Sequence, residues 1–204
     1  MHFLLAVSDI KIVTERVSDY WSWYIVRASG FVAAGILFVL IISGIGQVTG
    51  FIYRYIEPIK AWVIHKTLAI SLLVAIAIHG GFLLINHYIK FNLVEILVPF
   101  ASTYYNETSF AGINIGALGV TFGIFATYII VFVVLTSLKI IDTNKKLWRK
   151  FHFLSYLAVF FIFLHALYVG TDLKFGFFRD FWLLAGFMLI LAGAYRLWRA
   201  RVIK

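Results

Sequence analysis

Five long apolar segments, separated by short stretches that carry most of the charged residues, run along the chain. An α-helix rises about 1.5 Å per residue, so about 20 apolar residues cross a hydrocarbon core about 30 Å thick. The pattern therefore predicts an all-α, integral membrane helical bundle with five transmembrane helices. We expect these spans at about residues 28–51, 61–88, 112–138, 151–170 and 181–198.

The first 27 residues follow a different pattern. Apolar and charged side chains are mixed between residues 3 and 20, which is typical of a short helix that lies at the membrane surface. Trp21, Trp23 and Tyr24 come next, and such rings collect at the boundary between membrane and water. The sequence thus predicts an N-terminal interfacial segment at 1–27 and a transmembrane domain at 28–204.

Composition and charge exclude several functional classes. Hydrophobic residues make up 63% of the chain and charged residues 13%, whereas soluble domains are about 25% charged. The net charge of +9 comes from lysines and arginines in short loops, so it does not indicate nucleic-acid binding. The chain has no cysteine, which excludes disulfides, thiolate-bound iron–sulfur clusters and covalent haem attachment.

The distribution of basic residues predicts the orientation of the bundle. With five spans the two termini lie on opposite sides of the membrane. Twelve lysines and arginines fall on the side of the first and third loops and the C-terminus, and six fall on the other side. Because basic loops stay in the cytoplasm, we expect the N-terminus outside and the C-terminus in the cytoplasm.

Four histidines interrupt the apolar runs of the second and fourth spans. His65 and His79 are fourteen residues apart, and His152 and His165 are thirteen apart. The two spans run in the same direction, so His65 is level with His152 and His79 with His165. Along the axis the two levels are about 20 Å apart. Imidazole is the usual axial ligand of haem iron, so the sequence predicts an inner and an outer bis-histidine haem site.

The unequal spacing has a structural consequence. Fourteen residues at about 100° each fall about 40° short of four turns, so His65 and His79 share a helix face. Thirteen residues fall about 140° short, and we therefore expect a π-bulge, a kink or a tilt between His152 and His165. The third span carries Gly112, Gly116, Gly119 and Gly123, which indicate close helix packing or, alternatively, room for a porphyrin.

Several stretches resemble a known family. They are WYIVRASGFVA at 23–33, the pair His65 and His79, LVPFAS at 97–102, and WRKFHFLSYL with LHALYVGTD within 148–172. The chain resembles the ferric reductase-like transmembrane domain, the haem module of ferric reductases, NADPH oxidases and a bacterial methionine-sulfoxide reductase system. This resemblance implies two six-coordinate b-type haems in a plasma membrane, which we expect to be prokaryotic, and electron flow from the cytoplasmic to the outer side.

The resemblance leaves the electron donor open. No GxGxxG turn or flavin site is found in these 204 residues, so we expect an oxidoreductase component that needs a partner. The expected donor is a separate flavoprotein reductase or quinol, and the acceptor is extracytoplasmic. One alternative is a haem-bearing membrane anchor of a larger redox or respiratory complex. Another is a proton or ion transporter, which broken helices or a mid-membrane acid would favour.

Haem propionates need cationic or hydrogen-bonding partners near the membrane faces. Arg54 and Arg149 are candidates at the cytoplasmic side and Arg27 is a candidate at the outer side. Each of the three could equally be a plain topological charge.

Overall fold

The computed structural model describes residues 2–105, 109–110 and 113–202, and the side chains of residues 20–105, 114–199 and 201. Within these residues five helical segments are long and apolar enough to cross a membrane, which confirms the expected all-α membrane bundle. The helices are α1 (His2–Thr49), α2 (Pro58–Ile85), α3 (Leu93–Leu97), α4 (Ile115–Lys139), α5 (Lys145–His152), α6 (Leu154–Val169) and α7 (Phe177–Val202). The spans are Tyr20–Thr49, Pro58–Ile85, Ile115–Lys139, Lys145–Val169 and Phe177–Arg199.

The helix that carries the first span extends across the expected boundary near residue 27. α1 continues unbroken from His2 to Thr49, and the described part of it that is long and apolar enough to cross a membrane is Tyr20–Thr49. No glycine or proline occurs before Gly30, so the backbone has no residue that would end the helix. The division of 1–27 from 28–204 is therefore not a helix boundary, and an interfacial position for the first residues stays a prediction.

The long connection between α2 and α4 contains the short helix α3, and hydrogen bonds around this helix stabilise the connection. Asn92 caps α3 by accepting from the Glu95 N–H, and the Glu95 carboxylate accepts from the Asn92 N–H at 3.1 Å. The same carboxylate accepts from the Thr103 hydroxyl at 2.7 Å and from its N–H at 3.1 Å. These bonds, from the Thr103 hydroxyl first, lower the pKa of the Glu95 carboxyl.

The connection is also fastened to α4. The Phe100 N–H donates to the Thr121 hydroxyl at 3.0 Å, and the Tyr128 hydroxyl donates to the Leu97 carbonyl. Two short strands, β1 (Ser109–Phe110) and β2 (Ile113–Asn114), then pair antiparallel before α4 begins. The polar backbone groups of the connection thus find partners next to an apolar helix, as they must near a membrane.

Two helix pairs build the bundle. α1 packs most extensively against α2, and α4 packs most extensively against α6, while α7 lies against α1. The buried side chains at the centre come from α1, α2, α4 and α6, and they are Leu37, Leu40, Leu72, Ile130, Val134 and Ala158. Many large apolar side chains on the outside are exposed, as expected for a surface that contacts lipid.

The fourth span is interrupted at Phe153, directly after the first of its histidines. The Tyr156 N–H bonds to the Phe153 carbonyl, three residues earlier, which is the bonding of a 3₁₀ turn. Such a turn rotates the chain by about 120° per residue instead of about 100°. A few such residues therefore supply part of the 140° by which thirteen α-helical residues fall short of four full turns. The irregularity found between His152 and His165 is thus a 3₁₀ turn, where the sequence predicted a π-bulge, a kink or a tilt.

Candidate functional site

The structure brings the four histidines together in the expected pairs. The ring centres of His65 and His152 are 6.3 Å apart, with ring planes at 49°. The ring centres of His79 and His165 are also 6.3 Å apart, with planes at 86°. In each pair α2 supplies one ring, while α5 supplies the other at the inner level and α6 at the outer level.

This separation suits a metal ion between the two rings. A metal–nitrogen bond is about 2 Å long and the ring centre lies about 1 Å beyond the nitrogen, so rings that share one ion have centres about 6 Å apart. Two rings that pack directly against each other can also have centres this far apart, so the distance alone does not identify a metal site. The hydrogen bonds of the rings show which ring nitrogen is free to bind a metal.

At the outer pair, backbone carbonyls hold both imidazoles. The His79 Nδ1–H donates to the Val26 carbonyl at 2.9 Å, and the His165 Nδ1–H donates to the Gly119 carbonyl at 2.9 Å. A carbonyl can only accept, so Nδ1 carries the proton in both rings. Nε2 of each neutral ring then keeps a free lone pair, which is the form that binds a metal.

At the inner pair, serine hydroxyls take the place of the carbonyls. Nδ1 of His65 lies 2.8 Å from the Ser43 hydroxyl, which donates its own proton to a backbone carbonyl one turn earlier and so accepts from the ring. Nδ1 of His152 lies 3.3 Å from the Ser137 hydroxyl, which accepts from the Trp148 indole at 3.0 Å and can either donate to this ring or accept from it. All four rings thus engage the protein through Nδ1, and at His65, His79 and His165 the acceptor fixes the proton there and leaves Nε2 for a ligand.

Glycines on α4 allow α6 to approach closely. A Cβ atom at Gly119 would lie 3.0 Å from the Tyr168 Cβ, and a Cβ atom at Gly123 would lie 2.5 Å from Nδ1 of His165. Both distances are too short for a side chain, which supports the close-packing interpretation. Gly123 also makes room for the imidazole itself, which the sequence pattern did not reveal. Gly112 lies outside the described residues.

A cavity of about 310 Å³ lies beside the inner pair. Its lining is largely aliphatic, and the aromatic and basic side chains in it include His65, His152, Trp62, Trp148, Tyr156 and Arg196. Sequence reasoning counted Arg196 only among the cytoplasmic charges, because nothing in the local sequence connects α7 to the histidines. An apolar lining with aromatic rings and a basic group fits a porphyrin with carboxylate substituents.

The cations expected to bind propionates lie elsewhere. Arg27 forms a two-point ion pair with Asp172, with its Nε 2.8 Å from one carboxylate oxygen. Arg54 and Arg149 are exposed, and the lining of the inner cavity includes neither. Contacts of these three arginines with propionates stay predictions.

The donor set fits haem better than a bare metal ion. Among the described side chains, those of residues 20–105, 114–199 and 201, no three histidines, aspartates or glutamates lie close enough to hold an ion by themselves. A porphyrin supplies the equatorial nitrogens, so iron in a haem needs only the two opposed imidazoles that each level offers.

Comparison with known proteins agrees with this geometry. The family model described as a ferric reductase-like transmembrane component matches residues 29–164, which is more than half of the chain. The chain belongs to this family. The matched region includes His65, His79 and His152, and His165 follows it directly. The family is a transmembrane electron-transfer module that typically binds haem. No curated protein and no solved structure matches the chain.

Proposed function

We propose that this ferric reductase-like protein transfers electrons across the membrane through two b-type haems. His65 and His152 would ligate the inner iron, and His79 and His165 the outer iron. The observation that carries the proposal is the same at both levels: two facing imidazoles, 6.3 Å apart, whose Nδ1 atoms are all engaged by the protein.

The side chains of this protein set what such a site can do. A bound haem supplies an iron that takes up and releases one electron at a time. The two facing imidazoles at each level would hold the iron from both sides and would leave no open position for oxygen or substrate, which favours electron transfer over chemistry at the iron. The hydrogen bonds at Nδ1 hold the orientation of each ring, and those in which the ring donates raise its basicity.

The apolar centre of the bundle separates the two sites from water. Leu37, Leu72 and Ala158 are buried among the helices that carry or support the histidines. Water is thereby kept out of the space between the two sites, so the reorganisation energy of electron transfer between them stays small. The excess of basic residues at one side supports placing that side in the cytoplasm. Electrons would enter there from a separate flavoprotein or from quinol and leave to an extracytoplasmic acceptor.

Haem counting on the purified full chain tests the proposal. We expect two haems per chain and a reduced-minus-oxidised spectrum of the b type. Both irons should be low-spin in electron paramagnetic resonance, because strong ligands fill both axial positions. A single haem after mild purification, a high-spin signal, or no haem would contradict the proposal.

A further inference from the structure

Arg196 occupies an unusual position next to the inner pair. It lies on α7, is half-buried, and lines the cavity that both imidazoles share. Its guanidinium lies 5.0 Å from the ring centre of Phe153 and 5.3 Å from that of Tyr156, and it donates to the Tyr156 hydroxyl. Phe153 follows His152 directly in the chain, and the guanidinium and the His152 ring line the same cavity.

The positive charge of Arg196 has no negative partner in the cavity. Asp142 contributes the carboxylate found in the cavity lining, but it is exposed and forms no ion pair with Arg196. The other cation of the lining, Lys66, is exposed and lies over the Trp62 ring at 5.3 Å. A half-buried cation in a membrane protein is costly unless an anion or a ligand compensates it.

We propose that Arg196 binds a carboxylate of the inner haem, namely a propionate. The inference rests on the proposed function and adds to it the residue that anchors the inner cofactor. A guanidinium can donate two parallel hydrogen bonds to one carboxylate, and the two aromatic rings hold its plane in place. The anion of the ligand thus balances the charge that the protein leaves uncompensated.

A positive charge near the haem also favours the reduced iron, because reduction adds one negative charge to the site. Replacing Arg196 with Gln should therefore move the inner midpoint potential to more negative values and leave the outer potential unchanged. A charge-assisted hydrogen bond is lost as well, so inner haem should bind about tenfold to a hundredfold more weakly. Arg196→Lys, which keeps the charge, should retain most of the potential.

The measurement is a spectroelectrochemical titration of each full-length variant, with haem counted per chain. The outer haem of the same molecule reports that the variant is folded. The matched control is Arg201→Gln, which removes the same charge from an exposed position on α7 and should change neither haem.

The outcomes separate this inference from the proposed function. If wild-type protein binds two haems and Arg196→Gln leaves the inner potential and haem retention as in Arg201→Gln, the assignment of Arg196 is wrong and the haem proposal stands. An equal potential shift in Arg196→Lys and Arg196→Gln would also overturn it, because the charge would then not matter. Wild-type protein without haem would overturn both.

Discussion

Gly123 offers the sharpest test of the outer site. In Gly123→Ala the new methyl group would lie 2.5 Å from Nδ1 and 2.7 Å from Cε1 of His165. The ring must retreat by about 1 Å to reach an ordinary contact distance, but its bond to the Gly119 carbonyl at 2.9 Å holds it from the same side. The substitution should therefore tilt the ring away from the position opposite His79.

The expected magnitude is a balance of two terms. Overpacking of a well-packed interior costs about 1–3 kcal/mol, while replacing a helical glycine with alanine gains up to about 1 kcal/mol. A net loss of about 1–2 kcal/mol at the outer site corresponds to about tenfold weaker haem binding there. The inner haem should be retained, because His65 and His152 lie one level away.

Gly44→Ala is the matched control for this substitution. Its methyl group would lie 3.5 Å from Cε1 of His65, which is an ordinary van der Waals contact, so the inner haem should remain. Both variants are compared with wild type by counting haem per chain and by titrating the two midpoint potentials. Retention of both haems at wild-type potentials in Gly123→Ala would refute the argument that this glycine positions the ligand.

Two further predictions concern the pairing of the histidines and the connection before α4. His165→Leu should remove the outer haem only, so that a donor on the cytoplasmic side still reduces the remaining haem while transfer to an impermeant outer acceptor stops. His152→Leu should remove the inner haem only and leave an outer haem that is reducible only from outside. Spectra and transfer assays in oriented vesicles measure both, and loss of the opposite haem in either variant would show that the pairing is wrong. Because hydrogen bonds from Thr103 and Asn92 lower the pKa of Glu95, the stability it contributes is complete above the ordinary carboxyl pKa of about 4.3 and is lost as the pH falls through the lowered value. Thermal unfolding at neutral and acid pH should thus show a lower Tm for Glu95→Gln at neutral pH and a smaller difference from wild type in acid, whereas a constant difference would count against this role.

The sequence by itself determined the number of spans and the depth of the four histidines. Both follow from hydropathy and from the constant rise of a helix, which do not depend on how the helices pack. The interruption of the fourth span also followed from counting, because thirteen residues cannot return a straight helix to the same face.

Arg27 shows what such counting misses. Sequence analysis placed Arg27 just before the first span, and the tertiary structure pairs it with Asp172, which is 145 residues away. The arginine therefore lies as a compensated charge within the apolar stretch Tyr20–Thr49. The sequence around Arg27 cannot reveal the carboxylate that neutralises it, because Asp172 lies in a different helix.

Only the tertiary structure decided which groups surround the imidazoles. The carbonyl partners of His79 and His165 come from α1 and α4, and Arg196 reaches the inner cavity from α7. The spanning helices are apolar on nearly all sides, so no polar face in the sequence indicates how each helix is rotated about its axis. Rotation is set by packing between helices, and that packing determines which glycine, carbonyl or arginine meets each ligand.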